Sequence, residues 1–200
     1  MMDRVDAWVI DSACRSMRRW RDAGLILLPI AVNVSAISLR NADIAERLSS
    51  SCRRHGVPPT LIEVELTESA MIADLERGRQ VLQAIKRAGH DLALDDFGTG
   101  FSSLTYLHRF PIAKVKVDRS FVDGMEHNPE QRAICSAVQA LAAGLKLVSV
   151  AEGVETEAQR LALCEMGFDE LQGFLLGRPV AELRYMDLLR AATAEPADAG

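Results

Sequence analysis

The segment Asp91-Leu92-Ala93-Leu94-Asp95-Asp96-Phe97 runs into Gly98-Thr99-Gly100-Phe101-Ser102-Ser103. Its first half alternates like a short buried strand, and its second half sets two carboxylates side by side where a Gly/Ser loop begins. Neighbours within a strand point to opposite faces. Two adjacent acids therefore belong at a strand's end, where the pleat breaks and both can turn the same way. Five other apolar segments carry a polar residue at or near the same end. They are LILLPIAVNVS (25–35) with Asn33, LIEVELT (61–67) with Glu65, AKVKVD (113–118) with Lys116, KLVSVAEG (146–153) with Glu152, and DELQGF (169–174) with Gln172.

Helical periodicity fills the intervals. Helices are expected over about 38–55, ending at His55-Gly56, over 74–88 closed by Gly89, and over 129–143 closed by Gly144. Two more are expected over 156–166, closed by Gly167, and 181–192. An N-terminal helix carries Val5, Trp8, Val9, Ala13, Met17 and Trp20 on one face, with a solvated face of Arg4, Arg15, Arg18 and Arg19. Strands alternating with helices imply parallel pairing through right-handed crossovers. An open doubly wound sheet and a (β/α)8 barrel both satisfy that order. No GxGxxG follows the first strand. In a barrel all six strand ends share one rim, where such enzymes place their active sites; in an open sheet the outer strands would lie too far apart. The α/β barrel is therefore the expected fold class, with six strands counted of the eight it needs.

Composition bounds the alternatives. The chain has 200 residues, 48% hydrophobic and 26% charged, with a formal net charge of −5. That is an ordinary globular mix, unlike disordered or disulfide-stapled chains. An acidic balance argues against general nucleic-acid binding, so no DNA partner is expected. No stretch approaches the roughly 18–20 apolar residues that span a bilayer, and the charged N-terminus is no signal peptide. Cys14, Cys52, Cys135 and Cys164 form no CxxC and read as reduced thiols, consistent with a cytoplasmic location. His55, His90, His108 and His127 match no strand end and read as surface residues, which discounts zinc.

Glu65, Asp95, Asp96 and Glu152 at one mouth would repel one another unless a cation neutralises them. All-oxygen ligands with one Asn amide suit Mg²⁺, Mn²⁺ or Ca²⁺. A single carboxylate at a strand end is commonly a helix N-cap, and Glu68, Asp74 and Thr156 fit that description or that of loop anchors. Polar residues at all six strand ends exceed what capping explains. Two metal ions a few ångströms apart are the usual device for phosphodiester hydrolysis, and Lys116 on the same rim is placed to orient water or meet phosphate charge. Gly98 and Gly100 give the loop after Asp96 the freedom of a gate. The DFG within it lacks every other kinase element.

The string NVS (33–35), ELTES (65–69), DDFGTGFSSL (95–104), KVKVDRSFV (114–122), AEGVET (151–156) and LQGFLLGRP (171–179) resembles the EAL family of bacterial cyclic di-GMP phosphodiesterases, over about residues 5–190. The resemblance implies a variant (β/α)8 barrel. It implies two Mg²⁺ or Mn²⁺ ions and hydrolysis of cyclic di-GMP to linear pGpG in second-messenger signalling. Carried over by position, Asn33 and Glu65 would bind the first metal, Asp95 would be shared, and Asp96 and Glu152 would bind the second. Lys116 would hold the attacking water, Glu152 would be its base, and Gln172 would position it. Glu68 would anchor the 96–104 loop, which in this family couples metal binding to homodimerisation, and Glu155 would stand at the substrate rim.

The family's Glu-Ala-Leu motif supplies a further ligand to the first metal, and no such tripeptide precedes Asn33. The expectation is a partial EAL domain over 1–192, lacking the family's first two strands, and a disordered tail over 193–200. Weak or absent turnover is expected of the 200 residues as they stand. The edges would be the first and last strands, with apolar inward faces. A non-catalytic remnant that binds cyclic di-GMP or a protein is the alternative; a metal-dependent barrel acting on sugars or keto acids is more remote. A sensory or diguanylate-cyclase domain would lie upstream in a full-length protein.

Overall fold

A computed structural model of the chain describes residues 2–41, 43–68, 70, 75–99, 107 and 109–194. The order is α1 (Met2–Asp22), β1 (Ile30–Asn33), α2 (Ala36–Leu39), α3 (Ile44–His55), β2 (Ile62–Thr67), α4 (Leu75–Arg87), β3 (Asp91–Phe97) and β4 (Lys114–Val117). It continues with α5 (Arg119–Val122), α6 (Pro129–Leu145), β5 (Val148–Ala151), α7 (Glu157–Met166), β6 (Glu170–Leu171) and α8 (Glu182–Ala194). All six strands pair in parallel in the order of the sequence, β1 to β6. The sheet curls as part of an α/β barrel, with β1 and β6 as its edges among the described residues.

Register separates two faces of opposite character. Val32, Val64, Leu92, Leu94, Val115, Val117 and Ala151 form rows on the outer face and are buried beneath the helices. The inner face carries Asn33, Glu65, Ala93, Lys114 and Val148 in one row and Lys116, Val150 and Glu170 in the next. The inward faces at the edges, expected to be apolar, are mixed: Ala31 and Asn33 on β1 and Glu170 on β6 face inward. Ion pairs fill the interior instead. Lys114 reaches Glu63 at 3.1 Å and Glu170 at 2.8 Å, joining β4 to strands on both sides.

Several elements are shorter than their apolar runs. The run from 25 becomes a strand only at Ile30, after Pro29, which has no N–H for a ladder. β6 is two residues long. The helix expected over 38–55 is two, the first N-capped by Ser35 and the second closed by Gly56 in the left-handed region. Gly144 lies inside α6, and Lys146, at φ 58°, closes that helix instead. Thr156 caps α7 in a reciprocal capping box with Gln159, as its position suggested. α8 runs through Ala194, past the expected start of the tail, and 195–200 lie outside the described residues.

The helix faces also needed correction. On α1 the buried line is Asp6, Ile10, Cys14 and Met17; Val5 and Trp8 are exposed. α8 is fastened to α1 by Glu182, which accepts from Arg19 and from the Trp20 indole, and by the Trp20–Tyr185 ring contact at 4.8 Å. No described helix is long and apolar enough to cross a membrane. Two histidines are not surface residues. His55 is half-buried against Asp11 at 2.9 Å. His90 is fully buried, its Nδ1–H donating to the Ile62 carbonyl at 3.1 Å.

Burial holds the His90 pKa below its ordinary value, outweighing the backbone of Ile62 and Pro59, which favours the protonated ring. The unfolded chain therefore binds more protons than the folded one. The contribution is intact above the unfolded histidine pKa of about 6.5 and is lost as pH falls below it. Urea unfolding at pH values above and below that point should show a smaller acid-side loss for His90→Asn, which keeps a donor but cannot titrate. Equal losses in both proteins would contradict this.

Candidate functional site

The site is built where β3 departs from regular pairing. Leu94 pairs with Val115 and Phe97 with Val117, so β3 spends one residue more than β4 over the same span. The extra residue is Asp96, at φ 55°, a conformation Asp tolerates better than most side chains. This bulge keeps Leu94 and Phe97 on the apolar outer face while freeing Asp95 and Asp96 to face the mouth together. Adjacent acids at a strand end were the sequence's signal for it.

Lys116, on β4, is buried at the centre. Its Nζ lies 2.7 Å from Glu65 Oε1, 2.6 Å from Glu152 Oε1 and 3.2 Å from Asp95 Oδ1. Asn33, on the neighbouring edge strand, donates from Nδ2 to Glu65 Oε2 at 3.2 Å. Asp95, Asp96 and Glu152 each bring one carboxylate oxygen within 4.8 Å of the others. Five of the predicted ligands and the predicted lysine are thus gathered from β1, β2, β3, β4 and the end of β5. Burial alone would depress the lysine pKa, but hydrogen bonds to Glu152 and Glu65 outweigh it and hold Lys116 well above its ordinary value. Burial raises Glu152 against the opposing pull of Lys116. Burial, with Asp95 and Asp118 nearby, raises Asp96.

One ammonium faces four carboxylates here, so the site carries excess negative charge. Asp95 Oδ1 is buried and makes no hydrogen bond; its approach to Lys116 lacks the alignment of one. An oxygen-only cluster with an unsatisfied, inward carboxylate oxygen fits a hard divalent cation. Asp95, Asp96 and Glu152 would hold one ion, with Glu65 and Asn33 adjoining.

The remaining predicted residues stand apart. Gln172 is exposed and held through its backbone, its N–H donating to the Ala151 carbonyl at 2.8 Å. Gly173 makes that turn possible, since a Cβ there would lie 2.1 Å from the Val154 carbonyl oxygen. Glu155 is exposed and pairs with Arg119 at 3.0 Å. Glu68 is buried directly after β2; the loop it was expected to anchor lies, from residue 100 through 104, outside the described residues. One residue escaped sequence reasoning altogether. Asp6, buried on α1, accepts from Ser35 N–H at 3.0 Å and Ser35 Oγ at 2.7 Å, fixing the turn two residues beyond Asn33.

The EAL domain profile matches residues 1–179. The chain belongs to the EAL domain family. The bifunctional diguanylate cyclase/cyclic di-GMP phosphodiesterase MucR of Pseudomonas aeruginosa is 42% identical over 177 residues, covering 88% of this chain and 26% of MucR. The chain spans about a quarter of the length of the curated relatives it matches. Among solved structures, the PaMucR phosphodiesterase in complex with c-di-GMP superposes with a TM-score of 0.86 at 41% identity, covering 91% of this chain and 74% of that one. Klebsiella pneumoniae BlrP1, in a manganese/cyclic di-GMP complex, gives 0.82 at 32% identity, covering 90% and 45%.

Removing the central ammonium tests the electrostatic reading. Lys116→Met leaves buried Glu65 and half-buried Asp95 and Glu152 facing one another, and loss of one partner of a buried ion pair costs about 3–5 kcal/mol. Denaturant unfolding without added metal should show a loss of that order. An unchanged midpoint would mean that the lysine does not bind the carboxylates together.

Proposed function

We propose that this chain is the metal-binding part of a cyclic di-GMP phosphodiesterase that hydrolyses its substrate to linear pGpG with two Mg²⁺ or Mn²⁺ ions. The observation that carries the reading is the convergence of Glu65, Asp95 and Glu152, from three strands, on one buried ammonium beside the Asp95-Asp96 bulge. The likeness to the PaMucR phosphodiesterase bound to c-di-GMP and to the BlrP1 manganese complex supports it. Asn33, Glu65, Asp95, Asp96 and Glu152 would hold the ions. When bound, the ions activate water and neutralise phosphate charge.

The chain's own groups have distinct tasks in this reading. Lys116, kept charged by Glu65 and Glu152, donates hydrogen bonds that orient the attacking water. Glu152 takes its proton; burial raises its pKa and makes it a better base than an exposed carboxylate. Gln172 reaches the water from the exposed edge only after its side chain turns inward. Glu68 positions the loop after Asp96, Glu155 borders the substrate, and that loop forms a homodimer contact. A sensory or cyclase domain accompanies the chain in the whole protein, consistent with the bifunctional MucR.

Mn²⁺ should raise the melting temperature of the chain, and Asp95→Asn should weaken Mn²⁺ binding by about tenfold or more, because it removes ligand charge. With Mn²⁺ present, cyclic di-GMP should bind and yield pGpG at most weakly, whereas phosphosugars should not react. Binding without product would support the non-catalytic alternative. Failure of both the nucleotide and Mn²⁺ to bind would contradict the proposal.

A further inference from the structure

Away from the candidate site, two thiols from different helices meet in the core. Cys14 on α1 and Cys52 on α3 are 38 residues apart in sequence, both buried, and their sulfurs are 3.9 Å apart. Both are free thiols. The helices are clasped beside the pair, since Arg54 and His55 of α3 both reach Asp11 of α1, at 2.7 and 2.9 Å. Bond formation closes this sulfur contact to the disulfide length of about 2.05 Å. Cys52 also lies in the wall of a surface cavity of about 430 Å³, with Ser49, Arg53, Gly56, Pro58 and Ala88. That cavity brings a small oxidant to the Cys52 side of the buried pair.

We propose that Cys14 and Cys52 are a reversible oxidation site, forming an intrachain disulfide when hydrogen peroxide or a small hydroperoxide enters this cavity. The thiolate of the pair attacks the peroxide O–O bond and becomes a sulfenic acid, and one oxygen leaves as water. The second sulfur, already in contact, displaces the sulfenic oxygen as a second water and closes the S–S bond. Two thiols and one hydrogen peroxide thus give one disulfide and two waters; sulfur loses two electrons and the peroxide gains them. The surroundings favour the first step. The contact with Cys52, aided by Ser51, lowers the Cys14 pKa against the opposing effect of burial, while Cys52 is raised. Neither of the other cysteines has a second thiol beside it, and exposed Cys164 accepts from Arg160 Nη1 at 3.9 Å. Burial pushes Cys135 up to about 11, with its thiol donating to the Phe121 carbonyl, and Cys164 is exposed on α7. The proposal is independent of any phosphodiesterase activity.

The test is a peroxide titration of the full chain, followed by acid quench, alkylation under denaturant and peptide mass analysis. The expected result is paired loss of Cys14 and Cys52 and a cross-linked peptide lighter by two hydrogens than its two thiol halves. Dithiothreitol should reverse it, and Cys52→Ser should abolish it. The same titration in urea should scatter the pairing among all four cysteines. Full alkylation of Cys14 and Cys52 at a dose that oxidises Cys164 would overturn the proposal. So would pairing in the folded chain as scattered as in urea, or sulfinic acid at either position without a cross-link.

Discussion

The inner face of this sheet is organised around a single buried ammonium. Lys116 touches Glu65, Asp95 and Glu152, and without it those groups would be like charges brought together in a medium that screens poorly. The rest of the fold is what makes the arrangement possible. Rows of valine and leucine under the helices anchor the strands from the outer side, so that the inner side can hold charges. The second ionic layer, Lys114 with Glu63 and Glu170, repeats the device one step along the strands. A lysine can hold three carboxylates in place, but it cannot neutralise four, and this imbalance connects the architecture to metal chemistry.

The bulge at Asp96 is the second constraint. A regular strand would send Asp95 and Asp96 to opposite faces and push one carboxylate into the apolar layer beneath the helices. One left-handed residue resolves the conflict locally, and pairing resumes at Phe97 against Val117. On the neighbouring edge, the buried Asp6 fixes Ser35 and so the end of β1, from which Asn33 reaches Glu65. The site is thus held from the sheet and from α1, the helix that precedes β1.

Much of this was legible in the sequence because strand-end chemistry leaves a local mark. Asn33, Glu65, the Asp pair, Lys116 and Glu152 each follow an apolar run, and most glycines after helices mark real ends. What was not legible depends on long-range partners. Nothing near His90 in sequence announces that its ring meets the Ile62 carbonyl, and nothing near Glu155 announces Arg119. The polar inner face was missed because an ion pair between strands looks, in each strand separately, like a solvated charge. β6 was overestimated because the close approach of Gly173 to Val154 ends the strand, and an apolar run does not reveal that. The Cys14–Cys52 contact arises from the packing of α1 on α3 and has no signature in cysteine spacing.

We propose that the carboxylates gathered around Lys116 form a divalent cation site at the Asp95-Asp96 bulge. Crystals of the chain soaked in Mn²⁺ and measured for anomalous scattering test it most directly. The expected result is an anomalous peak ligated by Asp95, Asp96 and Glu152, with Glu65 and Asn33 beside it. Ordered Asp95, Asp96 and Glu152 with no peak between them, or a peak only at surface acids, would contradict it.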